Sequence, residues 1–196
     1  MDVADRVVLI TGASSGVGAA LATKLAGMGA RLVVNYSRSA EAAEAVVTQI
    51  TAAGGQALAV QADVSEEADC KRLVAATLEQ FGQLDALVNN AGTTTFIPHD
   101  QLDALTEDVW LRTLRVNLIG AFMMSREAAP HIEAVGGGEI IMTSSIASMT
   151  ANGSSIAYCA SKAGMNSLTR TLAKTLGWKK IRVNAVLPGL IDGDWA

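Results

Sequence analysis

The chain has 196 residues, a formal charge of −4 and a charged fraction of 17%; half its residues are hydrophobic and only 4% are aromatic. That length suits one substantial domain, with roughly 70% of the unfolded surface available for burial, and the composition excludes a disordered or collagen-like chain. An acidic balance without clustered Lys and Arg excludes a nucleic-acid surface, which must displace counterions from phosphates.

No uncharged apolar stretch is long enough to span a bilayer, and Met1-Asp2-Val3-Ala4-Asp5 lacks a secretory pattern. Cys70 and Cys159 make neither a disulfide framework nor a metal-ligating CxxC pair. A cytoplasmic chain is expected, without a metal and with neither nucleic acid nor membrane among its partners.

In chain order, Arg6 to Thr11 is a short continuous apolar run, the pattern of a strand covered on both faces. The loop Gly12 to Gly18 follows, then an Ala/Leu-rich helix to about Met28. Ala30 to Tyr36 reads as a second strand. Ser39 caps a helix from Glu41 to about Thr51 that stops at Gly54-Gly55. Gln56 to Gln61 is a third strand, and Ser65-Glu66-Glu67 opens a helix ending near Phe81-Gly82.

Leu84 to Val88 is the fourth strand. Thr106-Glu107-Asp108 begins one long helix towards His131, with Trp110, Met123 and Met124 on its packing face. Glu139 to Thr143 is the fifth strand, Ser155 to Gly177 a strongly helical segment, and Ile181 to Leu187 the sixth strand. This alternation predicts an α/β fold with a doubly wound parallel sheet, in one domain over residues 1–196. An open sheet that stops after the sixth strand leaves an edge and a helix-binding face bare, unless a longer chain or an oligomer partner covers them.

Thr11-Gly12-Ala13-Ser14-Ser15-Gly16-Val17-Gly18 lies where the first strand hands over to the first helix. Glycines allow a sharp turn and a close backbone approach, and a helix N-terminus points free N–H groups at an anion. This placement favours pyrophosphate binding over a turn that merely packs helix on strand. No Lys follows the last glycine, so phosphoryl transfer is not indicated. A chain preferring NAD usually has an acid at the end of the second strand. Asn35-Tyr36-Ser37-Arg38 has none, and Ser37 and Arg38 suit a 2′-phosphate, so NADP(H) is expected over NAD(H).

With further motifs in order, the chain resembles the short-chain dehydrogenase/reductase family, in its single-domain Rossmann branch and near β-ketoacyl-[acyl-carrier-protein] reductases. The motifs are the glycine loop, Asp63-Val64, Asn89-Asn90-Ala91-Gly92, Asn117, Ser145, Tyr158-Cys159-Ala160-Ser161-Lys162 and Pro188-Gly189. Tyr158 and Lys162 are four residues apart in a helical pattern, hence on one face. A phenol of pKa near 10 is a poor base at pH 7, and a neighbouring ammonium favours its phenolate.

The resemblance implies hydride exchange between a nicotinamide cofactor and a carbonyl or alcohol substrate, with Tyr158 as general acid/base. Lys162 then also bonds the nicotinamide ribose, and Asn117 bends its helix and completes a proton relay. Ser145, 13 residues before Tyr158, donates to the carbonyl oxygen, while Ser144 satisfies backbone. The resemblance further implies that Asn90, Ala91 and Gly92 line the adenosine side. Asp63 and Val64 contact the adenine, although Asp63 is equally read as a helix N-cap. Pro188-Gly189 shields the nicotinamide, and the Ile191 backbone meets its carboxamide.

Relatives often carry Thr where Gly193 stands, and they continue past this point with a lid, a further helix and an edge strand. A homo-oligomer, tetramer or dimer, is implied as well. The alternative from a different class is a catalytically silent dinucleotide-binding module or inactive fragment.

Overall fold

In the computed structural model of the chain, residues 3–191 are described. Six strands make one parallel sheet: β1 (Val7–Ile10), β2 (Arg31–Tyr36), β3 (Gln56–Gln61), β4 (Ala86–Asn89), β5 (Gly138–Thr143) and β6 (Ile181–Val186). Their spatial order is β3-β2-β1-β4-β5-β6. Leu9 lies beside Val33 on one side and Leu87 on the other, so the strand order reverses at β1 and β4. Open α/β sheets bind ligands at such a reversal, beyond the carboxyl ends of the strands.

The helices are α1 (Gly16–Ala26), α2 (Ala40–Ala52), α3 (Glu67–Phe81), α4 (Glu107–Leu114), α5 (Ala121–Ala134), α6 (Ala147–Thr150) and α7 (Ile156–Leu176). Side chains alternate along a strand, so each strand feeds two cores. Val8, Ile10, Leu32 and Val34 pack with Ala22 and Ala26 of α1 and Val46 and Ile50 of α2. Val7, Leu9 and Val33 face the other way, onto Leu73 of α3, Met124 and Ile132 of α5 and Met165 of α7. Met123 and Met124 are core residues, as their helical spacing predicts. Among the described residues, no helix is long and apolar enough to cross a membrane.

Local chemistry explains several boundaries and corrects others. Thr106 and Ser155 cap α4 and α7 by accepting the amides of Val109 and Tyr158. Gly82 ends α3 at φ 75°, a conformation that suits glycine. Ser39, by contrast, stands at the N-cap of α2 without accepting a capping bond.

Asp63 does not cap α3 either. Its Oδ1 accepts the backbone N–H and hydroxyl of Ser65, a local turn that precedes a helix beginning only at Glu67.

The largest departure is in the expected single helix from Thr106 to His131. It is interrupted by a π-helical segment, Arg115–Gly120, between α4 and α5. Such wide turns mark places where side-chain demands override the regular ladder. Here Asn117 is drawn inward, fully buried, and a Cβ on Gly120 would stand 2.7 Å from the Val64 carbonyl oxygen. Periodicity sees the apolar face but not these two constraints.

Candidate active site

The glycine loop crosses the carboxyl end of β1. Gly12 and Gly16 have φ of +61° and +53°, where L side chains are strained. A Cβ on Gly12 would lie 2.8 Å from Ala91 Cα, and one on Gly18 would lie 2.5 Å from the Gly12 carbonyl oxygen and 2.6 Å from Asn90 Nδ2. These two glycines therefore let β4 and α1 close on the loop. At Gly16, by contrast, there is open space where the side chain would be.

Asn90 and Thr11 stitch the loop to β4. Asn90 Nδ2 donates to the carbonyls of Thr11 and Gly12 at 3.0 and 2.9 Å, and Thr11 Oγ1 accepts the amides of Asn90 and Ala91.

Asn35 stands out in the sequence only as a missing carboxylate, yet it ties three segments together. Its Oδ1 accepts the Gly12 amide at 3.2 Å, and its Nδ2 donates to the carbonyls of Val60 and Ala62. A polar side chain in an apolar strand beside a glycine loop is the signal that points to it.

The first turn of α1 has no side-chain cap and no acidic residue. Its amides and positive dipole end are thus left for an external anion, while Ser15, Gly16 and Val17 are exposed. Beside it opens a cleft of about 410 Å³ lined by Gly12, Ser37, Arg38, Asp63, Val64, Ala91 and Gly92. Arg112 and Val116, one turn apart in sequence, form its far wall, and no motif singles them out. The guanidinium groups of Arg38 and Arg112 have no hydrogen-bond or ion-pair partner among the described residues. An uncapped helix end, open space at Gly16 and unpaired guanidinium groups fit a dinucleotide.

At the carboxyl end of β5, Ser145, Tyr158 and Lys162 come together. Lys162 is 3% exposed, and its Nζ donates to the Thr143 carbonyl at 2.6 Å and lies 5.7 Å from the centre of the Tyr158 ring. Burial pushes its pKa down to about 8.

Burial also raises the pKa of Tyr158, partly offset by a hydrogen bond with the Ser145 hydroxyl that favours the phenolate. The resting phenol is thus held in its acid form. Lys162, four residues on, stands beside the ring with its amine bonded to the Thr143 carbonyl.

Ser145 Oγ accepts the Ala147 amide at 3.1 Å. Ser144 Oγ instead donates to the Lys162 carbonyl at 3.2 Å, the backbone role anticipated for it.

Asn117 is committed to the scaffold. Its Oδ1 accepts the Thr93 amide at 2.7 Å, and its Nδ2 donates to the Thr93 carbonyl and to Ser161 Oγ. Ser161 Oγ donates on to the Tyr158 carbonyl at 2.7 Å, so one amide links the π segment to α7 and to the stretch that follows β4.

The turn after β6 is held by the Ile146 amide, which donates to the Pro188 carbonyl at 2.9 Å. Gly189, Leu190 and Ile191 are exposed beyond it, and the Gly193 position lies outside the described residues.

Comparison with known proteins agrees with this arrangement. The family model for short chain dehydrogenases matches residues 6–196. A Streptomyces violaceoruber protein provisionally assigned as ketoacyl reductase 2 of the granaticin polyketide synthase is 48% identical over 96% of this chain and 74% of its own length. The 3-oxoacyl-[acyl-carrier-protein] reductase of Synechocystis is 41% identical over 96% of this chain and 75% of its own. A solved double mutant of a Serratia marcescens short-chain dehydrogenase/reductase superposes with a TM-score of 0.90 at 37% identity, covering 99% of this chain and 78% of its own. The fold, the family match and these relatives agree: the chain belongs to the short-chain dehydrogenase family and is an oxidoreductase acting between carbonyl and alcohol with a nicotinamide cofactor.

Proposed function

We propose that the chain is an NADP(H)-dependent reductase of β-ketoacyl-type carbonyl groups, with Tyr158 as the general acid. The observation that supports it is the convergence of Ser145, Tyr158 and a nearly fully buried Lys162 at the carboxyl end of β5. When bound, the dinucleotide supplies the hydride. The Ser145 hydroxyl donates to the carbonyl oxygen, where negative charge grows. Tyr158, held protonated by burial, gives its proton to the forming alkoxide. Lys162 then favours the resulting phenolate through its charge and holds the ribose end of the cofactor.

NADP(H) is supported by the absence of an acid at the end of β2 and by Arg38 on the cleft wall, whose guanidinium has no partner among the described residues. Asn35 does not replace an acid there, since its amide is spent on backbone groups. The ketoacyl class is supported by the names of the Streptomyces and Synechocystis relatives. Self-association is proposed through the exposed apolar residues Leu111, Ile119 and Phe122, which follow one another along α4, the π segment and α5. Cys70 and Cys159, both free thiols, are in keeping with a reducing cytoplasm.

Paired measurements on two variants test the reading. Tyr158→Phe is expected to lower turnover of an acetoacetyl thioester by about 10²–10⁴-fold, with NADPH binding by fluorescence within about twofold of the parent. Arg38→Ala is expected to weaken NADPH by about 10–100-fold and leave NADH unchanged, the worth of a charge-assisted bond. Full turnover in the first variant removes the assigned acid. Equal losses for both cofactors in the second remove the NADP(H) preference, and NADPH binding without turnover in the parent chain supports a silent binding module instead.

A further inference from the structure

Tyr158, Lys162 and Asn166 follow one another at four-residue steps along α7, and all three face the segment running from Thr143 to Ser148. Two of these contacts, Tyr158 to the Ser145 hydroxyl and Lys162 to the Thr143 carbonyl, belong to the site already described. The third stands one turn further on. Asn166 Nδ2 donates to Ser148 Oγ at 2.7 Å, and Ser148 Oγ donates to the Ser145 carbonyl at 2.6 Å.

A serine hydroxyl has a single proton. Because Ser148 gives that proton to the Ser145 carbonyl, Asn166 must offer it the NH₂ group rather than the oxygen, so chemistry decides the amide's orientation. Asn166 is 9% exposed, and its Oδ1 is buried without a hydrogen-bond partner among the described residues. A buried orphan acceptor is unfavourable, and an apolar side chain would fill the position at lower cost if packing were its only task.

The segment it braces needs support. Helix α6 has four residues, too few to be stable alone, and Ala151 after it sits at φ 55°. Ser145 Oγ already accepts the Ala147 amide, so the hydroxyl has one proton to donate and its aim depends on where the residue 145 backbone stands.

We infer that Ser148 and Asn166 are positioning residues for the reaction, acting in series from the long helix α7 through Ser148 to the Ser145 backbone, and thereby aiming the Ser145 hydroxyl. The inference rests on the reading of Ser145 and Tyr158 as the hydroxyl pair at the reacting carbonyl.

Steady-state kinetics, NADPH titration and thermal unfolding are compared for Ser148→Ala, Asn166→Ala, the double variant, Ser148→Thr and Ser145→Ala in the full chain. A misplacement near 1 Å costs up to about 10²-fold in rate, so Ser148→Ala is expected to lose about tenfold in kcat and Asn166→Ala about threefold. KM and the NADPH dissociation constant are expected to stay within about twofold, because neither Ser148 nor Asn166 lines the cleft beside the glycine loop. The double variant is no slower than Ser148→Ala, and Ser148→Thr, which keeps the hydroxyl, restores the rate.

A cofactor-free readout accompanies these. Tyr36 and Tyr158 are the only tyrosines, so in a Tyr36→Phe background the ultraviolet titration of Tyr158 shifts upward when Ser148→Ala spoils the Ser145 bond. Parental kcat in both alanine variants, with Ser145→Ala impaired, overturns the inference alone. So does a rate loss accompanied by matching losses of NADPH binding and thermal midpoint that Ser148→Thr does not restore. Full rate in Ser145→Ala removes the underlying reading and the inference with it.

Discussion

The β1–β3 half and the β4–β6 half repeat the same strand–helix unit, yet they cover their strands differently. β1 is buried along its whole length and β2 along its central four residues, since α1 and α2 close one face and α3 and α5 the other. Along β5 and β6 burial alternates instead. Val183 and Ile181 point into the core shared with α5 and α7, while Arg182, Asn184 and Val186 are exposed.

Chemistry divides along the same line. The first half presents backbone groups at the glycine loop and α1, and the second presents the side chains of Ser145, Tyr158 and Lys162. Binding by backbone needs a rigid frame packed from both sides. In the proposed reaction, Ser145, Tyr158 and Lys162 rest on one packed face, that of α7, at the carboxyl edge of the sheet.

Substitutions that break this contrast should differ widely in cost. Leu32→Ala, in a strand covered on both faces, is expected to cost about 2–5 kcal/mol in urea unfolding, because the cavity cannot collapse between two layers. A value near that of a surface change would mean the first half is packed less tightly than its burial indicates.

A smaller effect sharpens the chemical side. Lys162 carries its proton below a pKa of about 8 and loses it above, so the charge that favours the phenolate is lost as pH rises. Carbonyl-reduction kcat/KM, which reports the free enzyme, should fall to about half near pH 8 and continue down. A profile flat through about pH 9 would exclude Lys162 as the titrating group.

The smallest change is expected on the bare side of the sheet. Val186→Ala, at a half-exposed position of β6, should move stability by no more than about 0.5 kcal/mol. A loss comparable with that of Leu32→Ala would show that this face is covered in solution.

Local signals make much of this legible in the linear sequence. The apolar runs, the glycine loop after the first strand and the four-residue step from Tyr158 to Lys162 all concern neighbours along the chain, where backbone geometry leaves few choices. They are enough to anticipate the doubly wound parallel sheet and the segments that meet at its carboxyl edge.

Tertiary structure alone decided the rest. The break at Arg115–Gly120 depends on Asn117 reaching Thr93 and Ser161, 24 and 44 residues away. The strut made by Asn35 depends on Gly12, Val60 and Ala62, and the Arg112 and Val116 wall of the cleft beside the glycine loop on where α4 and the π segment lie. The brace from Asn166 to Ser148 spans 18 residues and two helices. A polar side chain in an apolar stretch announces that it must find a partner, because burying it unpaired is costly. Which partner it finds is settled only when distant segments pack, and here those choices join Asn166 to Ser148 and bury the lysine against the Thr143 carbonyl.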